Sequence, residues 1–127
     1  MKSFFRYSAI ITFCFFFTKI SAQDLPLIPY PQKVEIKNGN LNFEKNIEIN
    51  VNKNSFEAKF LKTYLEKEFN SKVIISQKYF EGTIISLIIN KKLKDNEYRL
   101  TIRDAEVAIF AKDNKGIFSG IQTLIQL

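Results

Sequence analysis

Seven short apolar runs, most of them alternating, and two longer runs at helical spacing place this chain in the α+β class. Their order is strands, helix, strands, helix. That order predicts a mixed β-sheet of about six to seven strands covered by two amphipathic helices. The third observation is length. About 105 residues remain after the N-terminal apolar segment, enough for one domain with a real core.

Met1 to Ala22 reads as a secretory signal peptide. Lys2 and Arg6 form its basic end, Tyr7 to Thr18 its apolar run, and Ser21-Ala22 a small-residue exit. The apolar run is about a dozen residues, short of the roughly 20 a membrane-spanning helix requires. Cleavage after Ala22 is expected, which leaves residues 23–127 exported to the periplasm or the extracellular space, with no membrane attachment. Losing Lys2, Arg6 and Lys19 reduces 19 basic residues to 16 against 13 acidic ones, a charge of +3. That is too weakly basic for a nucleic-acid-binding surface. The single cysteine, Cys14, leaves with the signal peptide, and the sequence has no histidine. Cysteine- or histidine-ligated metal sites and Cys-His or Ser-His catalytic pairs are therefore excluded.

The mature part opens with Asp24-Leu-Pro-Leu-Ile-Pro-Tyr-Pro-Gln32. Its three prolines favour extended backbone and exclude a helix. Lys33-Val-Glu-Ile-Lys37 alternates, Asn38-Gly39-Asn40 is a turn signal, and Leu41 and Phe43 alternate again, so a hairpin is expected. Ile47-Glu-Ile-Asn-Val51 predicts a third strand.

Asn54 and Glu57 stand at capping-box spacing ahead of a helix reaching about Phe69. Phe56, Phe60, Leu61, Tyr64, Leu65 and Phe69 form its apolar stripe, read as core. Asn70-Ser71 supplies the stop. Val73-Ile-Ile75 is a short buried strand. Ile84 to Ile89 is almost wholly apolar, which predicts a central strand covered on both faces. Lys91, Lys92 and Lys94 are expected in a solvated loop. Glu97 to Ile102 alternates, Arg103 to Glu106 turns, and Val107 to Ala111 returns antiparallel.

The last segment, Gly116-Ile-Phe-Ser-Gly-Ile-Gln-Thr-Leu-Ile-Gln-Leu127, repeats apolar residues at helical spacing after the capping residues Asp113 and Asn114. It carries no C-terminal stop signal, neither a glycine cap nor a basic last turn. An apolar stripe at Ile117, Ile121, Leu124 and Ile125 is expected to need a partner surface. Gly116 and Gly120 admit two explanations: close approach of another backbone, or relief of crowding against the domain's own sheet.

Carboxylates are the only plausible catalytic acid-base groups in the mature chain. Glu35 and Glu48 fall on the polar faces of strands, Glu66 and Glu68 on the wet side of the first helix, and Glu57 is explained by capping. No pair of them sits in an apolar setting, and the glycines form no phosphate loop. No catalytic, cofactor-binding or metal-ligating residue is assigned.

Three stretches together resemble a known module: Leu27-Ile-Pro-Tyr-Pro-Gln-Lys-Val34, Glu97 to Ile102, and Asp113 to Leu127 with its Gly-x-x-x-Gly-x-Gln-Thr-Leu-x-Gln-Leu pattern. They are similar to the N-terminal domain of β-N-acetylhexosaminidases, family 20 of the glycoside hydrolases. The resemblance implies a mixed sheet with two helices resting against a catalytic (β/α)8 barrel, which is absent from this sequence. In that family the barrel's Asp-Glu pair works with the substrate's own acetamido group. The resemblance implies that residues 23–127 are a non-catalytic scaffold, inactive alone, with the barrel packed on the helix Gly116 to Leu127. The same module precedes O-GlcNAc hydrolases and α-glucuronidases. A free-standing glycan- or protein-binding module is a further alternative, motivated by Tyr30, Tyr79, Phe80 and Tyr98 as stacking surfaces.

Overall fold

The computed structural model describes Leu27, Pro31, Lys33, Glu35 and residues 41–43, 45–52, 55–76 and 82–127. The expected signal peptide lies outside the described residues. The elements are β1 (Asn46–Val51), α1 (Phe56–Phe69), β2 (Lys72–Ser76), β3 (Thr83–Ile89), β4 (Tyr98–Arg103), β5 (Glu106–Ala111) and α2 (Asn114–Gln126). They form one sheet in the order β2-β1-β3-β5-β4. The class is the expected α+β, with five strands among the described residues rather than six or seven.

The difference lies in the first hairpin. Leu41–Phe43 are not in a strand, nor are Lys33 and Glu35, while Val34, Ile36 and the Asn38–Asn40 turn fall outside the described residues. Leu41 and Phe43 still reach the core, packing against it partly buried, and the Phe43 ring meets Phe69 at 4.7 Å between centroids. Their alternation reports burial, which here is achieved without a ladder of backbone hydrogen bonds.

β1 pairs in parallel with β2 and β3, β3 pairs in parallel with β5, and only β4 runs antiparallel, against β5. Parallel neighbours need a crossover, and α1 supplies it between β1 and β2. β4 and β5 instead turn directly, with Arg103 opposite Glu106 as the alternating pattern implied. β3 is the middle strand, as its apolar run predicted.

The two helices lie on the same face of the sheet. α1 covers β2 and β1, α2 covers β5, β4 and β3, and the helices touch each other. Ile47, Ile49, Val73, Ile85, Leu87, Val107, Ile109 and Ala111 point toward them and form one buried cluster with Ala58, Leu61 and Leu65 of α1 and Ile117, Ile121 and Leu124 of α2. β3 is thus buried on one face. On the other, Ile84, Ser86 and Ile88 are only half-buried, so the expected cover on both faces is not found among the described residues.

Helix ends follow local chemistry. Ser55, in extended backbone, caps α1 by accepting from the Ala58 amide at 3.3 Å. This corrects the expected Asn54–Glu57 box. Asn54 lies outside the described residues, and with the cap at Ser55, Glu57 stands one place too early to reach back. Asn70 ends α1 in the left-handed conformation, as the stop signal implied. Asp113 caps α2 through the Gly116 amide at 3.0 Å.

Candidate functional surface

α2 buries the very residues expected to seek a partner. Ile117, Ile121 and Leu124 are spent on the domain's own sheet, which overturns the expected exposed stripe; only Ile125 of that set stays half-buried. The glycines show why. A Cβ on Gly120 would stand 2.5 Å from Ile109 Cγ2, and one on Gly116 would stand 2.7 Å from the Ala111 Cβ. Both glycines let α2 settle onto β5, so their reason is the domain's own sheet.

The contact is pinned by one polar link. The Thr123 hydroxyl is 3.2 Å from the Ser119 carbonyl and 2.7 Å from the Tyr98 hydroxyl. Thr123 has one proton, and the carbonyl can only accept it, so Tyr98 donates to Thr123. Tyr98 lies beneath α2, with its ring edge 3.4 Å from where a Gly120 Cβ would stand. It is half-buried and packs against a helix. Tyr30, Tyr79 and Phe80 lie outside the described residues.

With the inner faces used, exposed apolar residues remain on the helices, at Phe56 and Phe69, and on the sheet, at Ile89 of β3 and Ile102 of β4. Phe56 is 70% exposed and Phe69 47%. The sequence expectation that both are core is corrected here. Phe56 stacks beside Phe60, with centroids 6.4 Å apart, and Phe60 meets Phe118 of α2 at 5.4 Å. The three rings form a row from the start of α1 across to α2. Farther along, Phe43, Tyr64, Phe69, Ile125 and Leu127 border a shallow apolar depression between the helix ends. A signal for this was present. At 100° per residue the apolar positions of α1 span roughly 220°, about twice the arc a helix buries against one neighbour.

The opposite sheet face holds a group whose burial the sequence reading did not foresee. Glu48 is on the face away from the helices, as its alternation implied, yet it is only 1% exposed. Neither carboxylate oxygen has a hydrogen-bond partner among the described residues. Its register neighbours are Ile74 and Ile84. Glu106 follows one strand beyond Ile84, but it is exposed and opposite Arg103. Backbones two strands apart are roughly 10 Å apart, and Ile84 stands between them, so the two carboxylates share no proton.

The remaining charged groups serve local structure. Lys91, Lys92 and Lys94 are exposed around a turn whose amides are held by side chains: Asn90 Oδ1 accepts from Lys92, and Glu97 Oε2 from Lys94. Asp95 pairs with Lys112 at 2.5 Å, and that ammonium holds its carboxyl below the ordinary value of 3.8. Lys62 of α1 bridges Glu66 and the Val73 carbonyl, tying the helix to β2. Lys33 and Glu35 form an exposed pair. Among the described residues no group of three or more Cys, Asp or Glu side chains is placed to hold a metal ion.

Comparison with known proteins agrees with this architecture. The family model described as "Glycosyl hydrolase family 20, domain 2" matches residues 24–127. Two solved structures share the fold. The structure of CpGH84D aligns with a TM-score of 0.66 at 13% identity, over 83% of this chain and 22% of that one. An inactive D437A mutant of the GH20 exo-β-N-acetylglucosaminidase from Vibrio harveyi aligns with a TM-score of 0.64 at 24% identity, over 81% of this chain and 16% of that one. The chain thus spans less than a quarter of the length of either. No curated protein matches it.

Proposed function

Since the chain belongs to glycosyl hydrolase family 20 as its domain 2, we propose that it is the non-catalytic N-terminal domain of an exported β-N-acetylhexosaminidase, which removes terminal N-acetylhexosamine residues from glycans. The observation that carries the reading is the family match across residues 24–127. The Vibrio harveyi relative, named as an exo-β-N-acetylglucosaminidase, supports the substrate class.

In this reading the domain acts mechanically. Its sheet and helices form a rigid body, and a catalytic barrel in the same polypeptide performs the chemistry. Export rests on the basic and apolar pattern of Met1 to Ala22.

A chromogenic N-acetylglucosaminide assay on the isolated chain is expected to read at background, and turnover above background overturns the scaffold role. Export is checked by N-terminal sequencing of the secreted product, which is expected to begin at Gln23. Sequencing the gene beyond the codon for Leu127 decides the enzyme type. An Asp-Glu pair in a barrel supports the hexosaminidase; an adjacent Asp-Asp pair would point to the O-GlcNAc hydrolase type instead.

A further inference from the structure

We propose that the open edge of β4 is a self-association surface, on which a second copy of this chain adds its own β4 antiparallel about a twofold axis at Leu100. The proposal does not depend on the family reading above.

The ladder decides which backbone groups are left over. The Ile84 amide donates to the Ala105 carbonyl at 2.9 Å, and the Asn90 amide to the Ala111 carbonyl at 2.7 Å. Val107, Ile109 and Ala111 therefore spend their backbone groups on β3, and Glu106, Ala108 and Phe110 turn theirs to β4. Their opposites there are Arg103, Thr101 and Arg99. The N–H and C=O groups of Tyr98, Leu100 and Ile102 point out of the sheet, and among the described residues no backbone pairs with them. The two edges differ in how they are protected. At β2 the outward carbonyl of Val73 is capped by the Lys62 ammonium. Tyr98–Arg103 has no proline, lysine or bulge, the usual devices that blunt an edge, and its Ile102 is an exposed apolar residue.

The occupant follows from charge and register. With Leu100 opposite Leu100 of the second copy, all three outward residues meet outward residues as hydrogen-bonded pairs. On the helix side Tyr98 then faces Ile102. On the other side Arg99 faces Thr101, and Arg103 faces Glu97, one residue before the strand. The Lys94 amide holds Glu97 through Oε2 at 3.0 Å, which leaves Oε1 to accept from the guanidinium. Sliding the strands by two residues sets Arg99 against Arg99 or Arg103 of the second copy, and like charges directly opposite are unfavourable. The strand is thus self-complementary in the register of fullest overlap, and a twofold contact closes on itself as a dimer.

The test is sedimentation of the secreted chain over a range of concentrations, with circular dichroism to confirm that each variant keeps its fold. The wild type is expected to form a dimer. Ile102→Pro removes an outward N–H that the sheet does not use and is expected to weaken the dimer at least tenfold. Lys72→Glu at the other edge and Phe60→Ser/Phe118→Ser on the helices should leave it unchanged. Register is read by oxidation. Expected cleavage leaves the secreted chain without cysteine, so Leu100→Cys should cross-link two copies, whereas Arg99→Cys and Thr101→Cys singly should not. A dimer lost in the phenylalanine variant and kept in Ile102→Pro overturns the choice of surface. Open-ended assembly, which β4 on β2 of the next copy would give, overturns the twofold register. A monomer at every concentration overturns the proposal and leaves the family reading intact.

Discussion

Gly120 shows how a single residue decides the seat of a helix. Alanine there should gain about 1 kcal/mol of helix propensity. The added Cβ would meet Ile109, fully buried and branched at its own Cβ, at 2.5 Å. Ile109 cannot swing clear, and overpacking of this kind costs about 1–3 kcal/mol. Gly120→Ala is therefore expected to lower stability by roughly 1 kcal/mol in urea denaturation of the isolated chain. Were the glycine there for another domain, the isolated variant would become more stable instead. Glu48 gives the opposite sign. Its carboxylate is buried between isoleucines with no hydrogen-bond partner among the described residues, and such a group costs roughly 1–3 kcal/mol. Glu48→Leu is expected to raise the melting temperature; a lowered one would mean that the carboxylate has a stabilising partner. Asp95 sets a pH-dependent contribution. Its carboxyl is held below 3.8 by Lys112, so the pair stabilises the fold above that value and fades as the pH falls through and below it. Wild type and Asp95→Asn should accordingly differ most at neutral pH and low salt, converging in acid, as followed by thermal melts. The group is fully exposed, and salt should shrink the difference.

Among the elements, the helices were easiest to find and hardest to orient. Periodicity located both, and Asn70 and Asp113 marked an end and a start correctly because each acts through its own backbone neighbours. The cap of α1 moved from Asn54 to Ser55. Two adjacent residues of capping type carry equal local signals, and tertiary packing of Ala58, Leu61 and Leu65 selects the phase. Ser55→Ala should cost about 1 kcal/mol, whereas Asn54→Ala should change little; equal losses in chemical denaturation would restore the Asn54 cap. Strand reading was accurate where the ladder is continuous, from β1 to β5. It over-counted at Leu41 and Phe43, which alternate and pack but do not pair. Alternation reports which side chains are buried and is silent about which backbone, if any, lies alongside.

At the scale of the whole molecule the decisive fact is that both helices share one face of the sheet. One consequence is an inner cluster that consumes every apolar residue of α2 on its sheet side. The other is an outer layer that leaves Phe56, Phe60 and Phe118 in a row. The same arrangement leaves the far face of the sheet with half-buried Ile84 and Ile88 and the sealed carboxylate of Glu48. A two-layer domain has two outer surfaces, and here each carries both charged and apolar side chains: Lys59, Lys67 and Lys115 beside the ring row, Arg99, Arg103 and Glu106 beside Ile84 and Ile88.

By itself the sequence determined the class, the number of helices, the central place of β3, the β4–β5 hairpin and the family. All of these rest on local periodicity, turn chemistry or motif spacing. Only the tertiary structure decided which apolar residues are core and which are left over. The wide stripe of α1 and the helical run of α2 each offer more apolar surface than one sheet can take. Burial is settled by which side of each helix meets the sheet, through glycine contacts such as Gly120 against Ile109. That choice depends on residues far apart in the chain, and no local pattern records it.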